Sequence, residues 1–280
     1  MLELRRNVIF GQFVETGSPI HKLDPRIKLG AAFVLVVASF LVRDFLGFAI
    51  LMPLLVLMQV VSRIPVGYVL RGSQFFLGFL LFILFFQVLF YPGEVAESGY
   101  LWRWGILSVS TEGLYTAGIL GLRVILLYYV TTMLMLTTSL VDLTDGLELI
   151  FGPLQRLRVP VNELVLVFVI AIKFVPIFID EIERLARART ARGVPFDEGG
   201  ALTRARRIGR LLVPIFIGGF ARADLLTTAM NTRGYRGGRY RTKLRRLHAT
   251  PSDWLALALV LAWTLAAWLL PNLLAGGGPV

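Results

Sequence analysis

The chain has 280 residues, of which 56% are apolar and 17% are charged, with no cysteine and a formal net charge of +11. This apolar content excludes a disordered chain, and the lack of cysteine excludes a disulfide scaffold. A soluble domain would be less apolar and would carry about 25% charged residues. The composition therefore predicts an integral membrane protein whose Lys and Arg residues mark the cytoplasmic side, and not a nucleic-acid-binding surface.

Apolar runs predict five membrane-spanning helices, since such a helix needs about 20 mostly apolar residues. The runs are Leu29–Val42, Phe45–Val61, Phe75–Tyr91, Leu114–Leu140 and Trp254–Leu270. The first run holds only 14 residues, so it needs flanking side chains such as Lys28 to reach the interface. Arg43 and Asp44 separate the first two runs, which predicts a tight helical hairpin. The fourth run contains Arg123, whose depth and role the sequence leaves open.

The charges of the connecting segments predict the orientation. Basic residues dominate before the first run and in the 62–74 connection, whereas the 92–113 connection holds three Glu and one Arg. Because positive residues stay in the cytoplasm, we expect the N-terminus and 141–250 to be cytoplasmic and the C-terminal tail to be outside. The predicted organisation is a membrane part at 1–140, a cytoplasmic block at 141–250, and a last span with its tail at 251–280. No cleavable signal is expected before the first run.

The middle of the chain is far more charged than the rest, with 19 Lys and Arg against 10 Asp and Glu over residues 139–250. Three helices are predicted there, over Leu143–Leu157, Val161–Arg192 and Ala201–Arg233. The apolar stretch Leu211–Phe220 covers only about 15 Å of helix, half a bilayer, so we expect it to lie at the interface and not to cross. Pro176 and Pro214 lie inside the two long helices and predict kinks.

The two long helices end in the same pattern, Ala191-Arg192-Gly193 and Thr232-Arg233-Gly234. Glycine readily adopts the left-handed conformation that closes a helix, and an arginine there lies at the negative end of the helix dipole. A guanidinium at a helix tip can also enter a groove on a partner and bind a carboxylate with two hydrogen bonds. From the residues alone, ordinary capping and docking both stay open.

Three groups of motifs follow one another along the chain. The first group consists of Gly11-Gln12-Phe13 and Ser18–Leu29. The second consists of Val159–Leu164, Lys173–Pro176, Glu181–Arg184 and Ala191–Gly193. The third consists of Leu212–Pro214, Arg222–Asp224 and Ala229–Tyr235. In this order and spacing they resemble the transmembrane T component (EcfT/CbiQ type) of energy-coupling factor transporters. The resemblance covers nearly the whole chain.

The resemblance implies an all-α membrane protein with about five transmembrane helices and three coupling helices, two of them long and kinked. It implies a non-catalytic scaffold of an ATP-driven vitamin or metal-ion importer in the bacterial cell membrane. The implied partners are two ABC-type ATPase subunits, a membrane-embedded substrate-binding S component and the lipid bilayer, with no cofactor, metal or nucleic acid. The implied ATPase-docking residues are Ala191, Arg192, Gly193, Thr232, Arg233 and Gly234. Thr232 departs from the Ala-Arg-Gly pattern of the family.

Two other functions would require different features in the sequence. A stand-alone secondary transporter would need ionisable residues facing one another at mid-membrane, usually in repeated halves, and only Arg123 is a candidate. A membrane enzyme would need a cluster of Asp, Glu, His or Ser, but Asp142 and Asp145 have no second acidic cluster near them in the sequence. His21 and His248 predict no metal site. No phosphate-binding loop is present in the sequence, so we expect ATP hydrolysis in partner subunits. The sequence does not identify the transported substrate.

Overall fold

A computed structural model describes residues 14, 16–71, 73–91, 100–104, 107–192, 200–237 and 249–274. The described chain is helical apart from one two-stranded hairpin, which confirms the predicted all-α membrane class. Its elements are α1 Pro19–Lys22, α2 Pro25–Leu41, α3 Phe45–Ser62, α4 Val66–Arg71, α5 Ser73–Leu89, β1 Tyr100–Trp104, β2 Leu107–Ser110, α6 Thr111–Thr137, α7 Leu140–Phe151, a 3₁₀ helix Gly152–Leu157, α8 Val161–Ala191, α9 Ala201–Thr232 and α10 Pro251–Leu274. They form two compact units, which we name the membrane unit (14–139 with 249–274) and the middle unit (140–237).

Several helices of the membrane unit match the predicted spans. Of the described helices there, α3, α6 and α10 are long and apolar enough to cross a bilayer, whereas α5 is apolar but has only 17 residues. Helix α2 also has 17 residues, about 26 Å of helix. The predicted fourth run extended to Leu140, but α6 ends at Thr137 and Leu140 begins α7.

One helix of the middle unit has a longer apolar segment than the sequence analysis predicts. The segment Gly209–Thr232 of α9 is also long and apolar enough to cross a bilayer, although its uninterrupted apolar run has only ten residues. The difference arises because two leucines, an alanine and a methionine follow Arg222 and Asp224, so that the mean hydropathy stays high over the whole segment. The prediction that this part of the chain is too short to cross a membrane is therefore wrong.

Proline residues shape the helices of the middle unit. The first predicted helix ran to Leu157, but regular α-helix stops at Phe151 and a 3₁₀ helix with Pro153 in its first turn follows. Proline has no N–H to continue the α-helical hydrogen-bond ladder, which explains the change. Pro176 and Pro214 lie inside α8 and α9, which continue through them for 31 and 32 residues. The bends expected at these two positions stay a prediction.

A β-hairpin lies in the connection between α5 and α6, where no regular structure was predicted. Its strands are antiparallel, with Tyr100 opposite Ser110 and Trp102 opposite Val109. Aromatic residues at alternating positions favour a strand, and this alternation in Tyr100-Leu101-Trp102-Arg103-Trp104 was the available signal.

The core of the membrane unit joins α2, α3, α6 and α10. Leu35, Phe48, Leu51 and Leu126 are fully buried within it. Polar side chains bind backbone carbonyls across the helices: the indole N–H of Trp263 donates to the Ile50 oxygen at 2.7 Å. Such bonds matter in a membrane because hydrocarbon offers no competing partner for a polar group.

Arg123 has a defined structural position in this unit. Its Nε donates to the Ser39 oxygen at 2.8 Å and its terminal nitrogen donates to the Val42 oxygen at 3.1 Å. Its guanidinium also lies 5.4 Å from the centre of the Phe40 ring. The last carbonyls of a helix have no partner within the helix. Arg123 therefore caps the C-terminal end of α2.

The start of α2 is as the sequence predicts. Asp24 accepts a hydrogen bond from the backbone N–H of Arg26 at 2.9 Å, and Pro25 is the first helical residue. A capping aspartate followed by proline is a favourable helix start.

Candidate coupling site at the tips of two long helices

Helix α8 ends at the first predicted docking motif. Ala191 is its last residue, and the cap Arg192 has φ −89° and donates its backbone N–H to the Arg189 oxygen at 3.1 Å. Ala191 and Arg192 are both exposed. Gly193, the predicted stop, lies outside the described residues.

Helix α9 ends at the second motif with a complete Schellman closure. Gly234 has φ +74°, and its N–H donates to the Asn231 oxygen at 3.0 Å. The N–H of Tyr235 reaches back to the Met230 oxygen, also at 3.0 Å. These two bonds give partners to carbonyls at the helix end. The left-handed φ of Gly234 is one that glycine adopts more readily than other residues. The prediction that Gly234 ends this helix is confirmed.

Both tips carry an exposed arginine. Within the described part of the chain, the guanidinium groups of Arg192 and Arg233 make no hydrogen bond or ion pair. Capping of α9 is done by the backbone of Gly234 and Tyr235, so the Arg233 side chain is not needed for it. Each guanidinium thus retains its five N–H donors for a carboxylate on another molecule.

The threonine that departs from the family pattern is accommodated locally. Thr232 donates its hydroxyl to the Ala229 oxygen at 3.0 Å, within its own helix. Because the hydroxyl is satisfied there, it demands no polar group from a partner. The residue next to Arg233 is larger than alanine but adds no unmet hydrogen bond.

Helices α8 and α9 are joined by an ionic cluster that the sequence analysis did not identify. Glu181 Oε2 accepts from Arg222 at 2.6 Å and from Arg184 at 2.5 Å. The hydrogen bond from Arg184, together with the positive charges of Arg184 and Arg222, lowers the pKa of the Glu181 carboxyl. The three residues occur in the quoted motifs, but Glu181 and Arg222 are 41 positions apart in the chain, so the sequence did not indicate their pairing.

Two further contacts hold the same helices together. Arg189 donates to the Arg210 backbone oxygen at 3.0 Å. The Phe178 ring lies 3.2 Å from where a Cβ would stand on Gly219, so the two helices approach closely there. Gly218 has open space around the equivalent position among the described atoms. Of the Gly218-Gly219 pair, only Gly219 serves a close approach.

An apolar face runs along α9. Its members recur at helical spacing and are between 50% and 69% exposed: Leu212, Val213, Phe216, Ile217 and Phe220. Residues at this spacing lie on one side of a helix. In a membrane protein such a face contacts either lipid or another subunit.

Among the described residues, no group of three or more His, Cys, Asp or Glu side chains is placed to hold a metal ion.

Comparison with known proteins places the chain in a family. The family model CbiQ, described as "Cobalt transport protein", matches residues 16–244. Three relatives are each named "Energy-coupling factor transporter transmembrane protein EcfT". That of Ruminiclostridium cellulolyticum is 34% identical over 258 residues, covering 92% of this chain and 95% of the relative. That of Thermanaerovibrio acidaminovorans is 38% identical over 262 residues, covering 92% and 94%. That of Lactococcus lactis subsp. cremoris is 36% identical over 260 residues, covering 93% and 96%. The chain therefore belongs to the EcfT/CbiQ family of transmembrane transport proteins.

Proposed function

We propose that this chain is the coupling subunit of an energy-coupling factor importer for a vitamin or a metal ion. In this proposal Arg192 and Arg233 dock into two ABC-type ATPase subunits. The middle unit is cytoplasmic, the N-terminus lies on the same side, and the chain resides in the bacterial cell membrane. The chain itself is not catalytic.

The observation that carries the proposal is the state of the two arginines. Each is exposed at the end of a helix of more than 30 residues and has no partner within the described chain. A guanidinium docks into a carboxylate-lined groove with two parallel hydrogen bonds, which gives direction as well as affinity. Ala191, Gly193, Thr232 and Gly234 would shape the tips around these arginines.

The contacts between α8 and α9 support a mechanical role. The Glu181–Arg222 pair, the Arg189–Arg210 bond and the Phe178–Gly219 packing join the helices at three places. Two helices held in this way move together when either tip is displaced. ATP-driven closure of the ATPases would therefore shift both helices, and their apolar face would pass the movement to an S component in the membrane.

The competing function, a stand-alone secondary transporter, depended on Arg123. That function requires an ionisable group that meets a substrate or ion in the membrane. The Arg123 guanidinium instead bonds two carbonyls at the end of α2. This engagement favours a structural role for Arg123 and weakens the alternative.

The test is a detergent pull-down of the full chain co-expressed with the two ATPases of the same organism. We expect wild type to capture both ATPases and the double variant Arg192→Glu plus Arg233→Glu to lose them, because reversed charges repel the groove carboxylates. The control is Arg156→Glu plus Arg158→Glu, which changes net charge equally at exposed positions of the middle unit.

The outcomes separate the parts of the proposal. If wild type captures no ATPase, the coupling function is wrong. If the tip variant still captures both, the docking residues are wrong. If the control variant loses the ATPases to the same extent, the loss reflects the change in net charge, and docking by the tips is contradicted.

A further inference from the structure

A cavity of about 650 Å³ lies inside the membrane unit, where α1, α2, α3, α6 and α10 meet. Most of its lining is apolar, with Ile27, Leu54, Val130 and Leu257 among the walls. Its size is that of a site for a small organic ligand. Walls of this kind favour an apolar occupant.

Small residues keep this cavity open. Ala31 and Ala32 of α2 and Ala256 of α10 line it and leave volume that a larger side chain would fill. The same two helices contact each other beside it, since a Cβ on Gly30 would stand 3.8 Å from Leu257 Cδ1. The cavity therefore lies between helices that are firmly packed.

One end of the cavity is polar and mainly cationic. Lys22 and Lys28 line it, together with Thr250 and Ser252 at the beginning of α10. The buried Lys28 ammonium donates to the oxygens of His21 at 3.0 Å and Thr137 at 2.9 Å. The Lys22 side chain is exposed, so its ammonium can reach a ligand at the rim.

The acidic residue at this end does not cancel the positive charge. Asp253 Oδ2 accepts the backbone N–H of Thr250 at 2.7 Å, which holds the carboxylate at the start of α10, where its charge offsets the helix dipole. The two ammonium groups of Lys22 and Lys28 outnumber this one carboxylate among the residues that line the cavity. The end of the cavity thus favours an anion.

We propose that this cavity binds one acyl chain of an anionic phospholipid, with the lipid phosphate beside Lys22 and Ser252. The apolar walls accept the chain, and the cationic rim accepts the headgroup. The rim belongs to the side that positive residues predict to be cytoplasmic, where anionic lipids attract basic groups. Free phosphate would leave the apolar volume empty, so the lipid is the favoured source of the anion. This inference does not depend on the ATPase-docking proposal.

The test is native mass spectrometry of the purified, delipidated full chain with phosphatidylglycerol or phosphatidylcholine of identical acyl chains. We expect one phosphatidylglycerol to bind about fivefold more tightly, the effect of one lysine near a headgroup. Lys22→Gln should remove this preference and leave binding of the acyl chain. Ala32→Phe plus Ala256→Phe should abolish binding of both lipids, because the rings fill the cavity.

The control is Ala258→Phe, at an exposed position of α10 outside the cavity, which should bind phosphatidylglycerol like wild type. Equal binding of the two lipids by wild type would overturn the proposal. So would unchanged binding by the cavity-filling variant or by Lys22→Gln. Displacement of the lipid by inorganic phosphate alone would identify a simple anion site and contradict the role of the acyl chain. A cavity-filling variant that loses a co-expressed S component but keeps the lipid would identify a protein-docking surface instead.

Discussion

Gly234 closes α9 because its backbone takes a conformation that other residues adopt at a cost. Its φ of +74° lies in the left-handed region, and it holds the bonds to Asn231 and Met230 in place. Gly234→Ala should lower the free energy of unfolding by about 1 kcal/mol, the usual cost of a Cβ at such a φ. Thermal unfolding of the purified chain in detergent measures this loss of stability.

A matched glycine in the same helix should respond in the opposite direction. Gly218 lies in the interior of α9 with open space around its Cβ position in the described structure. Gly218→Ala should therefore raise stability by about 0.5–1 kcal/mol, because alanine is the better helix former. Equal destabilisation by both substitutions would contradict the assignment of Gly234 as a left-handed cap.

The Glu181 carboxylate should make the α8–α9 contact dependent on pH. Its pKa is lowered from the ordinary value of 4.5, first by the Arg184 hydrogen bond and then by the charges of Arg184 and Arg222. Stability from this pair is present above the ordinary pKa and is lost as pH falls through the lowered one. Glu181→Gln should thus be less stable than wild type at about pH 7, and the difference should shrink at about pH 4.

The control for this pH dependence is Asp224→Asn, which changes an exposed carboxylate on the neighbouring helix α9. We expect its unfolding midpoint to follow wild type at both pH values. If Glu181→Gln is less stable than wild type by the same amount at about pH 4 and at about pH 7, the ion pair makes no pH-dependent contribution to stability.

At the scale of elements, the end of α2 depends on a side chain from α6. Arg123→Leu would leave the Ser39 and Val42 carbonyls without their present donors, at a cost of about 1–3 kcal/mol. Arg123→Lys should recover part of this loss, since an ammonium can still donate to carbonyl oxygens. Phe40→Leu, which removes only the ring beside the guanidinium, should cost less than Arg123→Leu. Thermal unfolding in detergent compares the variants, and a neutral Arg123→Leu would contradict the cap.

Short-range signals in the sequence predicted the elements well. Asp24 before Pro25 marked the start of α2, and Gly234 marked the end of α9. Both features depend on residues within a few positions of each other, and their chemistry is local. The hairpin at Tyr100–Ser110 was missed because its aromatic alternation lay in a segment interpreted by charge alone.

Across the whole molecule, the sequence predicted the membrane class and the two helix tips but not what joins the helices. Glu181 and Arg222 meet only through folding, and many other acid–base pairs are possible in so charged a segment. The role of Arg123 likewise could not be predicted, since its partners are backbone carbonyls, which every residue has and which the sequence therefore does not distinguish. The cavity depends on the fold in the same way, because residues from five helices line it.

The central proposal is that the tips of α8 and α9 contact two ATPases, and site-directed photo-crosslinking tests it most directly. The chain has no cysteine, so Ala191→Cys or Thr232→Cys creates a single labelling site beside each docking arginine. Each variant is labelled with a maleimide-linked photo-crosslinker before assembly with unlabelled ATPases. We predict a covalent product with an ATPase subunit from both tips and none from the control Arg156→Cys. No product from either tip, or equal yield from position 156, would contradict the account.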